Sequence, residues 1–286
     1  KEYAVFLGLA YGAYVQNGQN LWLLAALLMT LQTFRHLSDY NFSQVVKARD
    51  SEVVPAPVDF MAKWDGIEVD NTPEPKGLAA NYYFQRAKYW AGKVITFPIG
   101  ERWLAISLTA AIGGAMFTFT AMPILALISM AWVYRVRIAK TLQMAKTRIK
   151  SLVIVRQLDL GWAQKTVSQR FDWLEPSLLR ALELGVLIVL FSATGVFTGE
   201  SAVAAFVILF SIAFHHYDNL YRAMQGEQKP NWLSWAGLTV PGRLALLSVI
   251  DLFGLGLEPV AGYFLLLFLV VSSVQWVLQR KMATKP

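Results

Sequence analysis

The chain contains no cysteine, and only 16% of its 286 residues are charged. The absence of cysteine excludes disulfides and thiolate-bound metal centres. Charge this scarce also argues against a soluble domain of this size, in which charged residues would cover every exposed face. The sequence also lacks a Walker loop, a glycine-rich dinucleotide fingerprint, a Gly-x-Ser-x-Gly elbow and a His-Glu-x-x-His motif. No complete catalytic constellation is therefore visible.

Apolar residues are abundant, at 56% of the chain, and they form long uncharged runs. A bilayer core of about 30 Å needs roughly 20 mostly apolar residues per helix. Eight segments meet this requirement or come close to it. They cover approximately residues 3–14, 21–34, 103–121, 124–136, 181–197, 202–214, 244–257 and 260–278. The sequence therefore predicts an all-α, polytopic transmembrane bundle of about eight segments in four hairpins.

The basic residues are distributed unevenly between the two sides of these hairpins. The short turns contain no Lys or Arg, and all 26 basic residues lie elsewhere; the turns cover residues 16–19, 118–123, 198–201 and 254–259. By the positive-inside rule, the longer loops and both termini are cytoplasmic, in a multi-pass protein of the inner (plasma) membrane. The net charge of +7 then indicates contact with anionic lipid head groups rather than nucleic acid.

Two modules of four segments each are predicted, over residues 1–142 and 143–286. Between them, basic and apolar residues recur at helical spacing over 140–180, which is typical of amphipathic helices lying at the membrane interface. The stretch 50–76 is rich in acids and proline and indicates an irregular cytoplasmic insertion. The first segment starts at Lys1 with neither a signal-peptide n-region nor a methionine, so we expect a fragment or a processed product.

Polar residues at the cytoplasmic ends of three apolar segments are candidates for a phosphate site. They are Arg35, Glu101, Arg102, Ser107, Arg135 and Arg137. Arginine is an always-charged, forked donor that suits phosphate, and Gly100 with the helix start at Arg102 adds unpaired N–H groups. Glu101 opposes an anion unless it pairs with an arginine. Ordinary snorkelling anchors explain the same residues, so both interpretations stay open.

A second polar cluster ends the sixth segment and contains His215, His216, Asp218 and Arg222. Adjacent histidines point about 100° apart on a helix, whereas His215 and Asp218, three residues apart, could share a metal. We predict a hydrogen-bonded network and no metal site. Asp251, near the middle of the seventh segment, is a further intramembrane carboxylate that a proton-coupled transporter would use.

Residues 93–109, KVITFPIGERWLAISLT, resemble the start of the fifth helix in a subgroup of the CDP-alcohol phosphotransferases. The first three residues resemble the sequence just after the last catalytic aspartate of that family, and residues 214–222 resemble a four-helix extension that follows such domains in some bacterial proteins. The resemblance implies that the first four segments correspond to helices three to six of a six-helix fold. It implies transfer of a phosphoalcohol from a CDP-linked donor to a hydroxyl acceptor, with Arg102 and the Arg135 region holding acceptor phosphate.

The family's catalytic aspartates, in D-x-x-D-G-x-x-A-R followed by G-x-x-x-D-x-x-x-D, are absent from this chain. Asp65-Gly66 is the nearest match, but no Ala-Arg follows it. The catalytic residues are therefore unknown, and a divalent metal, Mg or Mn, is expected only if the aspartate motif lies upstream. Two alternatives are a non-catalytic membrane subunit or scaffold and a small-solute transporter. Membrane lipids and a CDP-linked substrate are the expected partners, with a homodimer or larger membrane complex left open.

Overall fold

The computed structural model describes residues 2–53, 90–92, 94–143, 171, 173–225, 227 and 229–283, and no strand occurs within these ranges. Five of the described helices are long and apolar enough to cross a membrane: Ile99–Leu142, Glu175–Ala193, Ala202–Arg222, Asn231–Leu252 and Glu258–Arg280. The chain is therefore an all-α protein with the composition of a membrane protein. The predicted insertion at 50–76 and most of the predicted interfacial helices at 140–180 lie outside the described residues.

The N-terminal hairpin consists of α1 (Glu2–Asn17) and α2 (Trp22–Val53). Gly18 adopts a positive φ of 64°, which a side chain would disfavour, and this conformation lets the chain reverse within a short turn. Asn20 fixes the turn, because its side-chain amide donates to the carbonyl of Phe197 at 2.5 Å. Helix α2 continues well beyond the predicted segment 21–34 and carries its polar residues away from the apolar part of the hairpin.

Helix α3 (Ile99–Gln143) consists of two arms that are separated by a break at Gly114, where φ is 66° and ψ is −161°. The hydroxyl of Ser129 donates to the carbonyl of Thr96 at 3.0 Å, across 33 residues. An unbroken helix of that length would separate the two groups by roughly 50 Å, so the arms must fold back on each other. The predicted turn at 118–123 is wrong, because these residues are helical and the reversal occurs at the glycine.

Six further α-helices follow among the described residues. They are α4 (Glu175–Ala193), α5 (Ala202–Met224), α6 (Asn231–Ala236), α7 (Val240–Leu252), α8 (Glu258–Leu265) and α9 (Ser272–Ala283), and the π-helical residues Leu266–Val271 join the last two. Asp251 lies at the end of α7, not in the middle of a span as predicted, because the helix stops at Leu252. Its Oδ1 accepts a hydrogen bond from Thr194 at 3.2 Å.

One apolar core joins the N-terminal hairpin to the later helices. Trp22 of α2 packs against Phe206 of α5 with ring centroids 5.7 Å apart, and Phe6 of α1 meets Phe119 of α3 at 6.2 Å. Large side chains on the outer face of α3 stay exposed, as for Ile112 at 76%. Such a face is stable only against lipid or protein, which agrees with the membrane-protein composition of this helix.

Candidate functional site

Four polar residues share one face of α2 at positions i, i+3, i+4 and i+7: Gln32, Arg35, His36 and Asp39. Helical spacing places their side chains one above another along the helix. This face meets both arms of α3 at the level where the apolar part of the bundle ends. It therefore forms one wall of a polar site inside the protein.

Three arginines converge on this wall. Arg35 and Arg102 are each 5% exposed, and Arg137 is 7% exposed. Arg137 lies 2.6 Å from the Asp39 carboxylate, Arg35 lies 3.9 Å from the same carboxylate, and Arg102 pairs with Glu2 at 3.2 Å. Among the described residues, three buried cations thus meet two carboxylates, and this group carries one excess positive charge.

Several buried hydrogen-bond donors of the site have no acceptor among the described residues. Arg35 donates through Nη2 to the carbonyl of Thr96, whereas its Nε and Nη1 have no acceptor. The Nε of Arg137 has none either, and its Nη1 is close to Asp39 but not aligned for a hydrogen bond. Gln32 Nε2 is likewise unbonded. An unmet buried donor costs about 1–3 kcal/mol, more when it is charged, so the site has the chemistry to accept an anion.

His36 adds a titratable group that stays neutral near pH 7. Burial lowers the pKa of its imidazole below the usual range, and the positive charge of Arg102 acts in the same direction. Its Nδ1 is buried and has no hydrogen-bond partner among the residues that the structure describes. His36 therefore offers the site an uncharged nitrogen beside the arginines.

The structure brings together three of the six predicted phosphate-site residues: Arg35, Arg102 and Arg137. It places Arg135 and Ser107 on exposed faces outside the cluster and leaves Glu101 half-buried. The reason is helical geometry, because residues two positions apart point about 200° apart and those five positions apart about 140°.

Sequence reasoning missed three groups that complete the site. Asp39 had a visible signal, since it lies four residues after Arg35 on a helix. Gln32 shares the same face, three residues before Arg35. Glu2 had no signal, because its partner Arg102 is 100 residues away. Glu2 therefore supplies the carboxylate that pairs with Arg102.

A second buried ionic group joins three helices in the later part of the chain. The Glu183 carboxylate accepts from Arg243 Nε at 2.6 Å and from Arg243 Nη2 at 3.1 Å, and its Oε2 lies 2.8 Å from His216 Nε2. All three side chains are fully buried. Arg243 also donates to the carbonyls of Gly237 and Leu238. This group therefore ties α4, α5 and the start of α7 together.

The remaining residues of the predicted polar cluster form a separate network at the end of α5. Arg222 donates to Asp218 at 2.9 Å and to the carbonyl of Ser272 at 2.7 Å, and the Ser272 hydroxyl donates to Asp218 at 2.6 Å. Lys229 Nζ lies 3.0 Å from His215 Nδ1 and 3.5 Å from Asp218. These contacts join α5 to α9 and to the segment that follows α5.

No group of three or more His, Asp or Glu residues in the described ranges is placed to hold a metal ion. The donors gathered in the α2 site are mainly arginine nitrogens, which repel a cation. The described residues therefore do not fit the divalent metal that the CDP-alcohol phosphotransferase resemblance implies. What the site can do with its own groups is bind an anion and neutralise its charge.

The fold and the site define an all-α membrane protein with a buried arginine cluster between its N-terminal hairpin and its later helices. A family model described as "Family of unknown function (DUF5941)" matches residues 102–285, and the chain belongs to this family. Comparisons with curated proteins and with solved structures gave no match. The matched region contains Arg102 and Arg137, whereas Arg35 lies outside it on α2.

Proposed function

We propose that this chain is the membrane-embedded part of a CDP-alcohol phosphotransferase-like protein, and that its arginine cluster holds a phosphate group of the substrates. The proposed reaction transfers a phosphoalcohol from a CDP-linked donor to a hydroxyl acceptor. The observation that carries the proposal is the buried guanidinium of Arg35 beside Arg102 and Arg137, because two of its donor nitrogens have no acceptor among the described residues. The reaction class rests on the resemblance of residues 93–109.

A phosphate group matches the unpaired hydrogen-bond donors and the positive charge of the site. It brings negative charge to a site with one excess positive charge, and its oxygens accept several hydrogen bonds at once. Two forked guanidinium groups, from Arg35 and Arg137, can donate to it in pairs. The Asp39 side chain is 39% exposed. It can therefore turn towards solvent and release Arg137 when a phosphate replaces it.

The proposed membrane arrangement has eight segments in four hairpins, with both termini on the cytoplasmic side. The two arms of α3 supply two of these segments, and α1 with the first part of α2 supplies two more. The absence of basic residues from residues 16–19, 198–201 and 254–259 and from the reversal around Gly114 supports this orientation. It places the arginine cluster at the cytoplasmic boundary, where a nucleotide-linked head group is accessible from water and its lipid part stays in the bilayer.

The role proposed for the described residues is to bind and orient the phosphate, not to break its bonds. In the resembled family, a divalent metal held by aspartates supplies the electrophilic assistance. The described residues lack such a ligand set. We therefore assign Arg35, Arg102 and Arg137 to phosphate binding and expect this chain alone to be inactive in transfer.

The test uses the purified chain in nanodiscs of phosphatidylcholine and measures its affinity for CDP-diacylglycerol. Arg35→Lys and Arg137→Lys keep the positive charge but lose the forked donors. Each should weaken binding roughly tenfold to a hundredfold, since a hydrogen bond to a charged group contributes about 1.5–3 kcal/mol. Arg135→Lys is the matched control, because this arginine is exposed on the same helix as Arg137. It should leave the affinity unchanged.

Three results would contradict the proposal. Equal losses in Arg135→Lys and Arg137→Lys would mean that the arginines only attract anionic lipid at the surface. An affinity for phosphatidylglycerol equal to that for CDP-diacylglycerol, unchanged by Arg35→Lys, would favour the lipid-anchored scaffold. Transport of a solute without phosphate, unaffected by any of the three variants, would favour the transporter.

A further inference from the structure

We propose that Tyr217 of α5 is a positioning residue for the arginine site, so that the later helices set the site's affinity for phosphate. The inference rests on the proposed phosphate-binding function. Tyr217 lies inside the family-matched region, whereas the two residues through which it contacts the site, Tyr3 and His36, lie on α1 and α2, outside that region. It contacts the site through its hydroxyl and through its ring.

The hydroxyl of Tyr217 ends a chain of hydrogen bonds that has a definite direction. Thr33 donates its single hydroxyl proton to the carbonyl of Met29 at 2.8 Å, so it can only accept from Tyr3, which lies 2.7 Å away. Tyr3 has then used its own proton. In the hydrogen bond of 2.9 Å between the two tyrosine hydroxyls, Tyr217 must therefore be the donor and Tyr3 the acceptor.

This direction makes Tyr217 the group that fixes the N-terminal end of α1. Tyr3 follows Glu2, and Glu2 holds Arg102 at 3.2 Å. If the Tyr217 hydroxyl is removed, Tyr3 no longer accepts a hydrogen bond from it but still donates one to Thr33. The first turn of α1 would then be held less firmly, and Arg102 would lose a fixed carboxylate partner.

The ring of Tyr217 contacts a second site residue. It meets the His36 imidazole edge to face, with centroids 5.6 Å apart and planes at 75°. His36 lies on the same face of α2 as Arg35, and its Nδ1 is one of the unpartnered buried atoms of the site. The two contacts of Tyr217 thus act on different parts of the site, since the hydroxyl acts on Arg102 and the ring acts on His36.

The experiment is a pair of double-variant cycles on the affinity for CDP-diacylglycerol in phosphatidylcholine nanodiscs. Tyr217→Phe keeps the ring and removes the proton, and we expect about a fivefold loss of affinity. We attribute this loss to a weaker hold of Glu2 on Arg102. The double variant Tyr217→Phe with Arg102→Lys should therefore lose less affinity than the product of the two single fold-losses. Combined with Arg137→Lys, Tyr217→Phe should lose the full product.

Two further variants separate positioning from general stability. Tyr3→Phe removes both bonds of the chain and should weaken binding at least as much as Tyr217→Phe. Tyr221→Phe is the matched control, since this tyrosine is exposed, lies one turn away on α5 and stacks on Tyr217 with centroids 6.5 Å apart. It should leave the affinity unchanged. If Tyr217→Phe unfolds at the same temperature as the wild type, its loss of affinity is not caused by a loss of stability.

The outcomes distinguish this inference from the proposed function. If wild type binds and Arg35→Lys weakens binding, but Tyr217→Phe matches Tyr221→Phe, only the positioning role of Tyr217 is overturned. The positioning role is also overturned if the fold-losses of affinity multiply fully in both cycles. A tyrosine with only a structural role would show no energetic coupling to Arg102. If wild type does not bind the probe, the phosphate site itself is refuted, and the positioning role is refuted with it.

Discussion

Replacing Glu183 by Gln should destabilise the protein by removing one charge from the buried group formed with Arg243 and His216. Gln keeps the shape of Glu, so the change isolates the charge. The Arg243 guanidinium, fully buried, would lose the charged partner that it contacts at 2.6 and 3.1 Å. Breaking a buried pair in this way costs about 3–5 kcal/mol.

The contacts that Arg243 keeps place the loss at the lower end of that range. It still donates to the carbonyls of Gly237 and Leu238 at 3.0 and 2.8 Å, so part of its charge stays compensated by backbone dipoles. We therefore expect a loss of about 3 kcal/mol, which corresponds to a change of roughly 150-fold in the unfolding equilibrium. The measurement is reversible unfolding in neutral bicelles with increasing dodecyl sulfate, followed by tryptophan fluorescence.

Two controls make the result interpretable. Glu258→Gln removes an exposed carboxylate that accepts from Ser201 at 3.0 Å, and it should change stability by less than about 0.5 kcal/mol. The double variant Glu183→Leu with Arg243→Met removes both charges and should recover most of the stability, since apolar replacements of buried pairs are often neutral. A loss below about 1 kcal/mol in Glu183→Gln, or a double variant less stable than the single one, would refute the reasoning.

Three other predictions concern the turns, the second network and the topology. Gly114→Ala should cost about 1–3 kcal/mol because φ of 66° with ψ of −161° is a conformation essentially restricted to glycine, whereas Gly100→Ala, in open space within a helix, should be neutral or slightly stabilising in the same unfolding assay. Arg222→Lys should cost about 1–3 kcal/mol, since Lys cannot reach Asp218 and the carbonyl of Ser272 together; an unchanged midpoint would contradict this. In this cysteine-free chain, single cysteines at Gln19 and Lys140, both exposed, should react with an impermeant thiol reagent from opposite sides of sealed cells, and labelling of both from outside would refute the topology.

The helical class and the apolar elements could be predicted from the sequence because both depend on neighbouring residues. A long apolar run is encoded in consecutive positions, and the bilayer thickness sets how long a run must be. The sequence predicted the reversal within α3 at Thr118–Pro123, between two apolar segments, but these residues are helical. The structure uses Gly114, since a glycine accepts the positive φ of the reversal and a proline is tolerated inside the second arm.

The arginine site was predictable only in part. Its arginines are visible in the sequence because charge at the end of an apolar run is conspicuous, but only the tertiary structure separates the buried Arg137 from the exposed Arg135. Helix rotation decides between them, and this rotation depends on how α3 packs against α2. The carboxylate beside Arg102 is likewise set by the packing of α1, which brings Glu2 across 100 residues of chain.

By itself, the sequence determined where helices form and which residues carry charge, because backbone hydrogen bonding and side-chain transfer energies act within a few residues. The tertiary structure alone decided which charges meet. Glu183 and Arg243 are 60 residues apart and Tyr3 and Tyr217 are 214 apart, and no local periodicity couples such positions. Their pairing follows from the packing of the apolar helix faces, which buries these polar groups next to each other. A buried polar group is costly unless it has a hydrogen-bond or ion-pair partner, so each group relies on the one that packing places beside it.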